Sequence, residues 1–587
     1  MSTPSILSAI QKLCLLLTRE EKIKWLGIIA FAFTSSLLEV VTASIIVVFA
    51  QVLNAPEAGL KYLGKIGFAS DLPPGRVVFY IAIIVGAVYF IKNLIAAAEV
   101  FFQNFSIQKM NYRFKTKLLH RYAKADYGFY LTRNSSFGIH LIGGEAERVF
   151  SSGMVAIASI LSEGVIFFAL VGMIIYMNPS LALIIFAFVL IISMFLTKNL
   201  LPIFYRFGQK FQTLSVSGTQ NLMQFFHGFK EIVLLGKREP FIQLYQVCER
   251  KKAGIQAIQI SLNALPRMVI EILFVGLFIA TIAYLCLGQE SPVQMIGILG
   301  GYLYAGFRLM PGLNRIINQL NIFKYAIPSI ERVHQEYTMG GAAKENYVDV
   351  PAFQFNQDIK IKELSFKYLN TEKDALSKVS LEIQKGECIG IVGETGSGKS
   401  TLVDLILGLL KPYEGSILVD GQYPVCSHQW HQKIGYVPQS IYLIDDTIEK
   451  NIAFGANEVD AERLNAAVDA AQLHQFMKSL PEGAKTVVGE RGIRLSGGER
   501  QRIAIARALY RSAEVLIFDE ATSALDSDTE TRLMETINAV SKDHTVIMIA
   551  HRLTTLKDCD RIVVMDKGKL KEVTDYNSLQ NKVEKHA

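Results

Sequence analysis

Six apolar stretches, at residues 25–52, 77–103, 154–177, 181–204, 265–287 and 293–317, constrain this chain more than any other feature. A bilayer core about 30 Å thick is crossed by roughly 20 helical residues. Inside it the backbone must satisfy its own polar groups, which leaves helices as the form for runs of this length. The stretches therefore predict six membrane-spanning helices. The chain of 587 residues is 51% hydrophobic and 19% charged, and the apolar excess lies before about residue 320. A helical membrane half is thus expected to precede a domain of ordinary soluble composition.

The links between the stretches carry the orientation. Asn178-Pro179-Ser180 and residues 288–292 are nearly free of Lys and Arg, so both are expected outside. The long links 104–153 and 205–264 hold Lys109, Arg113, Lys115, Lys117, Arg121 and Lys124, then Lys230, Lys237, Arg238, Arg250, Lys251 and Lys252. They are expected inside, with both chain ends and the soluble half. Much of the net charge of +7 is accounted for in this way, and no nucleic-acid partner is implied. Because the long links carry few helix breakers, the spans are expected to continue as helices into the cytoplasm. They turn near Asp126-Tyr127-Gly128 and near residues 226–231.

Ahead of the first span, Ile6, Leu7, Ile10, Leu13 and Leu17 form an amphipathic stretch expected on the membrane surface. Thr18-Arg19-Glu20-Glu21 follows as a helix capping box. The next apolar run is too long for a signal-peptide core, and no cleavable signal is expected. In the outer link 53–76, Leu60, Leu63 and Ile66 oppose Lys61 and Lys65 on a helical wheel, the pattern of a short external amphipathic helix. A solvated loop fits the same stretch. Six scattered cysteines without a Cys-x-x-Cys pair read as reduced thiols.

The domain plan is then a membrane domain at 1–335, a polar linker at 336–352 and an α/β domain at 353–587. In the last, Gly393-Glu394-Thr395-Gly396-Ser397-Gly398-Lys399-Ser400-Thr401 stands between a strand-like run, Cys388 to Val392, and a helix-like run from Leu402. That is the setting of a phosphate-binding loop. Its glycines turn N–H groups toward phosphate oxygens, Lys399 reaches the terminal phosphates, and Ser400 can ligate Mg²⁺. An apolar strand, Val515 to Phe518, delivers Asp519 to the metal and Glu520 to the attacking water. Leu495-Ser496-Gly497-Gly498-Glu499 opens a second helix whose N-terminus can also hold a phosphate. One chain cannot easily bring both anion sites to one nucleotide.

Together these stretches resemble an ATP-binding-cassette exporter, with Leu495–Glu499 similar to the family's signature motif. The resemblance covers the whole chain and implies a type I exporter fold: an all-α six-helix membrane domain followed by an α/β P-loop nucleotide-binding domain. It implies that Tyr368 stacks on adenine, that Gln439 senses Mg²⁺ and water, and that His551 meets the γ-phosphate. It implies that Asp526, in Ser523–Asp526, lies at a dimer interface. Thr486–Gly492 is similar to the segment that meets the membrane domain's turns. Such proteins work as two halves, so a homodimer is implied. Two ATP molecules with Mg²⁺ would lie between each phosphate loop and the partner's Ser496–Gly498.

Cargo must be read from the spans, where charges are costly and default to function. Lys92, Arg267, Arg308 and Arg315 lie in or beside them, and Arg308 and Arg315 are seven residues apart on one helix face. Four cations suit an anionic head group. Equally, Arg267 can pair with Glu271, and Glu39, Glu99 and Glu163 can neutralise others. Gly306–Ile316 and Leu265–Arg267 resemble the matching parts of PglK-type bacterial flippases, in which basic residues meet the pyrophosphate of a lipid-linked oligosaccharide. Lys92 stands where that family shows arginine. The link stretch Ala58–Phe68 is similar in placement to its external helix, thought to engage the polyprenyl tail. The resemblance implies movement of a polyprenyl-pyrophosphate glycan to the outer leaflet of a bacterial inner membrane. The alternatives are export of another amphiphile, such as lipid A, a drug or a peptide, and an ATP-gated channel or regulator.

Overall fold

The computed structural model describes residues 5–54, 60, 73–177, 196–287, 292–339, 347–369, 371–521, 527–550 and 552–586. They fall into two compact units. One comprises Met1–Lys124 with Arg133–Ala343, the other Ala125–Thr132 with Lys344–Ala587.

The first unit is helical. Helix α1 (Ile6–Leu16) starts at Ser5, whose side chain accepts from the Ser8 N–H. Its Ala9, Leu13 and Leu16 are buried, whereas Leu7 and Leu15 are exposed. Both halves of the Thr18 capping box form. The Glu21 N–H donates to Thr18 Oγ1 at 3.3 Å, and the Thr18 N–H donates to Glu21 Oε2 at 2.8 Å. This box starts α2 (Arg19–Asn54).

Helix α3 (Pro74–Ala123) begins with proline in its first turn, where the missing N–H costs nothing. At 1.5 Å per residue its 50 residues span roughly 75 Å. That is more than twice the bilayer core, so the continuation of spans beyond it is realised. The turn helix α4 (Tyr127–Leu131) follows an Asp126 cap and groups with the second unit. Helix α5 (residues 135–177) has π-helical stretches at Leu141–Glu145 and Val149–Met154. Helix α6 (Leu201–His227) ends at Gly228, and α7 (Phe229–Leu234) makes the second turn. Two long helices complete the unit, α8 (Arg238–Leu287) and α9 (Pro292–Met339).

Among the described residues four helices are long and apolar enough to cross a membrane: Arg19–Thr42, Pro74–Ala123, Ser135–Ala169 and Arg238–Gly276. The span expected at 181–204 lies mostly outside the described residues, and that at 293–317 opens α9. Apart from Leu60, the external stretch Ala58–Phe68 is also outside them.

Buried Leu13, Phe114, Phe150, Phe323 and Ile330 join α1, α3, α5 and α9 in one core. A buried polar centre adds to it. Glu145 accepts from Gln212 Nε2 at 2.6 Å and lies 3.4 Å from Arg332 Nη1, linking α5 to α6 and α9. In α6, Gly208 lies so close to α9 that a Cβ there would collide with the Tyr325 carbonyl oxygen.

The second unit is α/β. A four-stranded antiparallel sheet has the order β2-β1-β4-β5, with β1 Asp358–Phe366, β2 Leu376–Gln384, β4 Glu414–Val419 and β5 Tyr423–Pro424. A six-stranded sheet has the order β10-β9-β3-β8-β7-β6. Its strands are β3 Cys388–Gly393, β6 Ile434–Val437, β7 Val515–Asp519, β8 Thr545–Ile549, β9 Arg561–Asp566 and β10 Lys569–Thr574. All its pairings are parallel except β9–β10. In β8, Ile549 is in register with both Ile391 of β3 and Asp519 of β7. The chain therefore leaves these three strands at one carboxyl end, where open α/β sheets bind ligands.

Candidate functional site

The loop after β3 leads straight into the helix Lys399–Ile406. Gly398 caps that helix at φ 98°, a left-handed conformation suited to glycine. A Cβ there would also stand 2.7 Å from Leu376 Cδ2. The Lys399 side chain folds back under the loop, its Nζ donating to the carbonyl oxygens of Gly393 at 2.8 Å and Glu394 at 3.1 Å. Among the described residues the buried Ser397 hydroxyl has no hydrogen-bond partner. A lysine bonded to its own loop's carbonyls and an unspent hydroxyl fit a group rich in acceptor oxygens.

Around the loop lies a cavity of about 490 Å³. Tyr368, Thr395, Gly396, Gly398, Lys399, Ser400, Thr401 and Glu520 line it, with Thr371, Lys373, Asp374, Lys567 and Gly568. The Tyr368 hydroxyl is 3.1 Å from Thr401 Oγ1, and its ring meets Phe366 edge-on at 5.0 Å. Of these lining residues, the sequence reading missed Thr371, Lys373, Asp374, Lys567 and Gly568. The last two form the β9–β10 turn, whose Gly568 N–H donates to the Ser397 carbonyl at 3.0 Å. Their only sequence signal was a Lys-Gly turn between two short strands.

Asp519 and Glu520 stand at the end of β7. Asp519 Oδ2 accepts from the Tyr436 hydroxyl at 3.2 Å, a partner that sequence reasoning did not name. Burial pushes the Asp519 carboxyl above its usual range, the Tyr436 bond opposes that, and the Glu520 charge adds to it. Glu520 takes a positive φ of 49° and donates its N–H to the Ile549 carbonyl at 3.0 Å. Its side chain accepts from Gln439 Nε2. Behind them, burial and then the Asp519 charge push the Asp404 carboxyl up to about 6.

Ser496 to Gly498 start the helix Gly497–Tyr510 through a capping box. The Ser496 hydroxyl accepts from the Glu499 N–H at 3.3 Å, and Glu499 Oε2 accepts from the Ser496 N–H at 2.7 Å. They do not line the cavity around Lys399. His551 and Asp526 lie outside the described residues. Among the described residues no three His, Cys, Asp or Glu side chains gather as metal ligands. Mg²⁺ commonly takes only one or two carboxylates with phosphate oxygens, a mode that a carboxylate such as Asp519 at the end of β7 fits without such a cluster.

The membrane cations divide. Arg267 and Arg315 line one cavity of about 460 Å³ with Ile270, Glu271, Met310, Pro311 and Asn314. Arg267 Nε is 2.8 Å from Glu271 Oε1, and Arg315 Nε is 2.9 Å from Glu163 Oε1. Lys92 is not among the cavity residues. It is buried, 2.9 Å from Glu39 Oε2 and 4.6 Å from the Tyr89 ring centroid. Arg308 belongs to α9, and its side chain lies outside the described residues.

Two family models match. Residues 25–291 fit the ABC transporter transmembrane region and residues 376–523 the ABC transporter domain. A relative from Haemophilus influenzae, named an ATP-dependent lipid A-core flippase, is 30% identical over 456 residues, 74% of each chain. One of the same name from Alkalilimnicola ehrlichii is 37% identical over 307 residues, so the match spans 52% of this chain and 51% of that relative. A leukotoxin translocation ATP-binding protein from a Pasteurella haemolytica-like species is 45% identical over 224 residues, 38% of this chain and 32% of its own. The solved structure of a bacterial Atm1-family ABC exporter with ATP bound superposes with a TM-score of 0.76 over 96% of both chains. At 24% identity that likeness speaks for the fold.

Proposed function

The chain belongs to the ABC transporter family, with the organisation of a half-transporter, and on that premise we propose that it uses ATP hydrolysis to export an amphiphile with a phosphorylated head group. The carrying observation is the cavity shared by Arg267 and Arg315 beside Ile270 and Met310. Guanidinium groups match phosphate oxygens in pairs, and the apolar neighbours suit an acyl or prenyl chain. The names of the relatives make lipid A the first cargo to test. The second reading is a polyprenyl-pyrophosphate oligosaccharide, favoured by the sequence of Gly306–Ile316.

The working unit is a homodimer in a bacterial inner membrane, with the termini and cassettes in the cytoplasm. Each phosphate loop, Gly393 to Thr401, holds one ATP over Tyr368, and the partner copy closes it with its own signature segment. Lys399 neutralises the terminal phosphates. Glu520, oriented by Gln439, polarises the attacking water, and His551 contacts the γ-phosphate. Mg²⁺, held by Ser400, Gln439 and Asp519, would offset charge on the phosphate oxygens. The domain limits are 1–335, 336–352 and 353–587. ATP favours the closed pair of cassettes, and hydrolysis releases it.

The deciding experiment is flipping and ATPase stimulation in proteoliposomes, with lipid A, a polyprenyl-pyrophosphate oligosaccharide and an uncharged hydrophobic dye compared. Stimulation by either phosphorylated lipid, lost on neutralising Arg308 and Arg315 together while basal ATPase activity persists, is expected. Stimulation by the dye alone rejects the anion cavity. Ohmic single-channel conductance in a planar bilayer would replace the pump with a channel.

A further inference from the structure

The two cavity arginines are neutralised in different ways. Arg267 pairs with Glu271 one turn along its own helix, and their side chains are 69% and 51% exposed. Such a pair exchanges partners at little cost. Arg315 pairs across helices, from α9 to Glu163 on α5, and the Glu163 side chain is only 12% exposed. Its second oxygen lies against the α9 backbone, since a Cβ at Gly312 would stand 3.3 Å from Glu163 Oε2. The neighbouring Ser162 carbonyl accepts from Ser36 Oγ at 3.0 Å, holding this part of α5 to α2. The Arg315 side chain is nevertheless 53% exposed and reaches the cavity.

We propose that Glu163 is an internal competitor for Arg315 that makes the cavity selective for phosphate over carboxylate head groups. The inference rests on the reading of this cavity as the cargo site. A carboxylate entering it offers Arg315 nothing that Glu163 does not already supply. The exchange would also separate Arg315 from the largely buried Glu163 at 2.9 Å, which is a net loss. A phosphate monoester or pyrophosphate carries more charge and more acceptor oxygens, and it can bridge Arg267 and Arg315. Its gain exceeds the cost of displacing Glu163. The displacement also breaks a link between α5 and α9, so cargo binding loosens two helices that the Glu163–Arg315 pair otherwise ties together.

The test uses the full-length protein in phosphatidylcholine vesicles, with ATPase stimulation titrated by dioleoyl phosphatidic acid, dioleoylglycerol hemisuccinate and neutral dioleoylglycerol. For the wild type, phosphatidic acid is expected to act at about tenfold lower concentration than the carboxylate lipid. Equal potency of the two in the wild type overturns the proposal without any variant. In Glu163→Gln the carboxylate lipid should approach the potency of phosphatidic acid, while Glu163→Asp keeps the preference. Retention of the full preference in Glu163→Gln also overturns it. Arg315→Gln separates the two levels of the argument. If it loses the response to both anionic lipids, the cargo cavity stands whatever Glu163 does. If both responses are unchanged, the cavity reading falls and the competitor with it.

Discussion

Gln439 Nε2 donates a hydrogen bond to Glu520 Oε2, joining the segment after β6 to the end of β7. Glu520 is held there in a left-handed backbone conformation that a side chain of its kind seldom adopts. Its carboxylate also borders the cavity that contains Lys399 and Ser400. Both features are those of a group positioned toward a reacting atom.

Replacing Glu520 with Gln keeps the side-chain shape and removes the charge proposed to polarise water. Hydrolysis should fall by about 10²–10⁴-fold, the usual scale of a lost general base. Nucleotide binding should persist, because Lys399 and the loop N–H groups are untouched. Phosphate release and fluorescent-nucleotide binding, measured on one preparation, check both halves. Near-normal turnover would remove Glu520 from the water-activating role.

Asp404 supplies a pH dependence. Its carboxyl titrates near 6 in the folded protein against an ordinary 3.8. A carboxyl raised in this way contributes stability in full below 3.8, and that contribution is lost as pH rises through 6. Asp404→Asn does not titrate, so it should match the wild type near pH 4 and exceed it above pH 6. The distance between the folded and ordinary values caps the effect at roughly 3 kcal/mol, and solvent screening of this part-exposed group brings it lower. Thermal unfolding of the two proteins in detergent, at about pH 5 and about pH 8, on either side of the folded value, measures the difference. An equal gap at both would mean that Asp404 does not titrate in this window.

Lys92 and Glu39 form the most enclosed ion pair of the membrane helices described, with side-chain exposures of 9% and 18%. Breaking so enclosed a pair by removing one partner costs up to about 3–5 kcal/mol. Lys92→Met should therefore lower the unfolding temperature, and adding Glu39→Leu should restore most of the loss. If Lys92 instead served cargo, the double variant would be stable yet unresponsive to lipid. Unfolding temperature and lipid-stimulated ATPase activity, followed together, separate these outcomes.

What could be read from sequence was local. The loop Gly393–Thr401, the acids ending β7 and the Thr18 capping box are short contiguous patterns whose residues meet through nearby backbone. The continuation of the spans as long helices was legible because their links carry few breakers. The Arg267–Glu271 pair was legible because helical spacing of four brings its members together. Other features depend on packing between distant elements. Glu163 was recognised as a source of neutralisation, but its choice of Arg315 needed the α5–α9 crossing. Tyr436 meets Asp519 only because β6 and β7 are sheet neighbours. The π-helical stretches of α5 carried no sequence signature. Cargo was the least legible, because the sequence pattern resembles PglK-type flippases whereas two of the relatives compared are named lipid A-core flippases.

Gly208 gives the sharpest test of how the helices of the first unit meet. It is buried in α6, and a methyl group there would strike the Tyr325 carbonyl and stand 3.2 Å from Pro328 Cγ. Backbone cannot yield as a flexible side chain can, so Gly208→Ala must push α6 and α9 apart. The gain in helix propensity, about 1 kcal/mol, opposes an overpacking cost of about 1–3 kcal/mol or more, and the collision with backbone places this site at the upper end. The variant should unfold at a lower temperature than the wild type. Gly254→Ala is the control: it lies within α8, where a Cβ meets nothing within 4 Å, and it should be neutral or stabilising. If Gly208→Ala were as stable as Gly254→Ala, the close crossing of α6 over Tyr325 and Pro328 would be wrong.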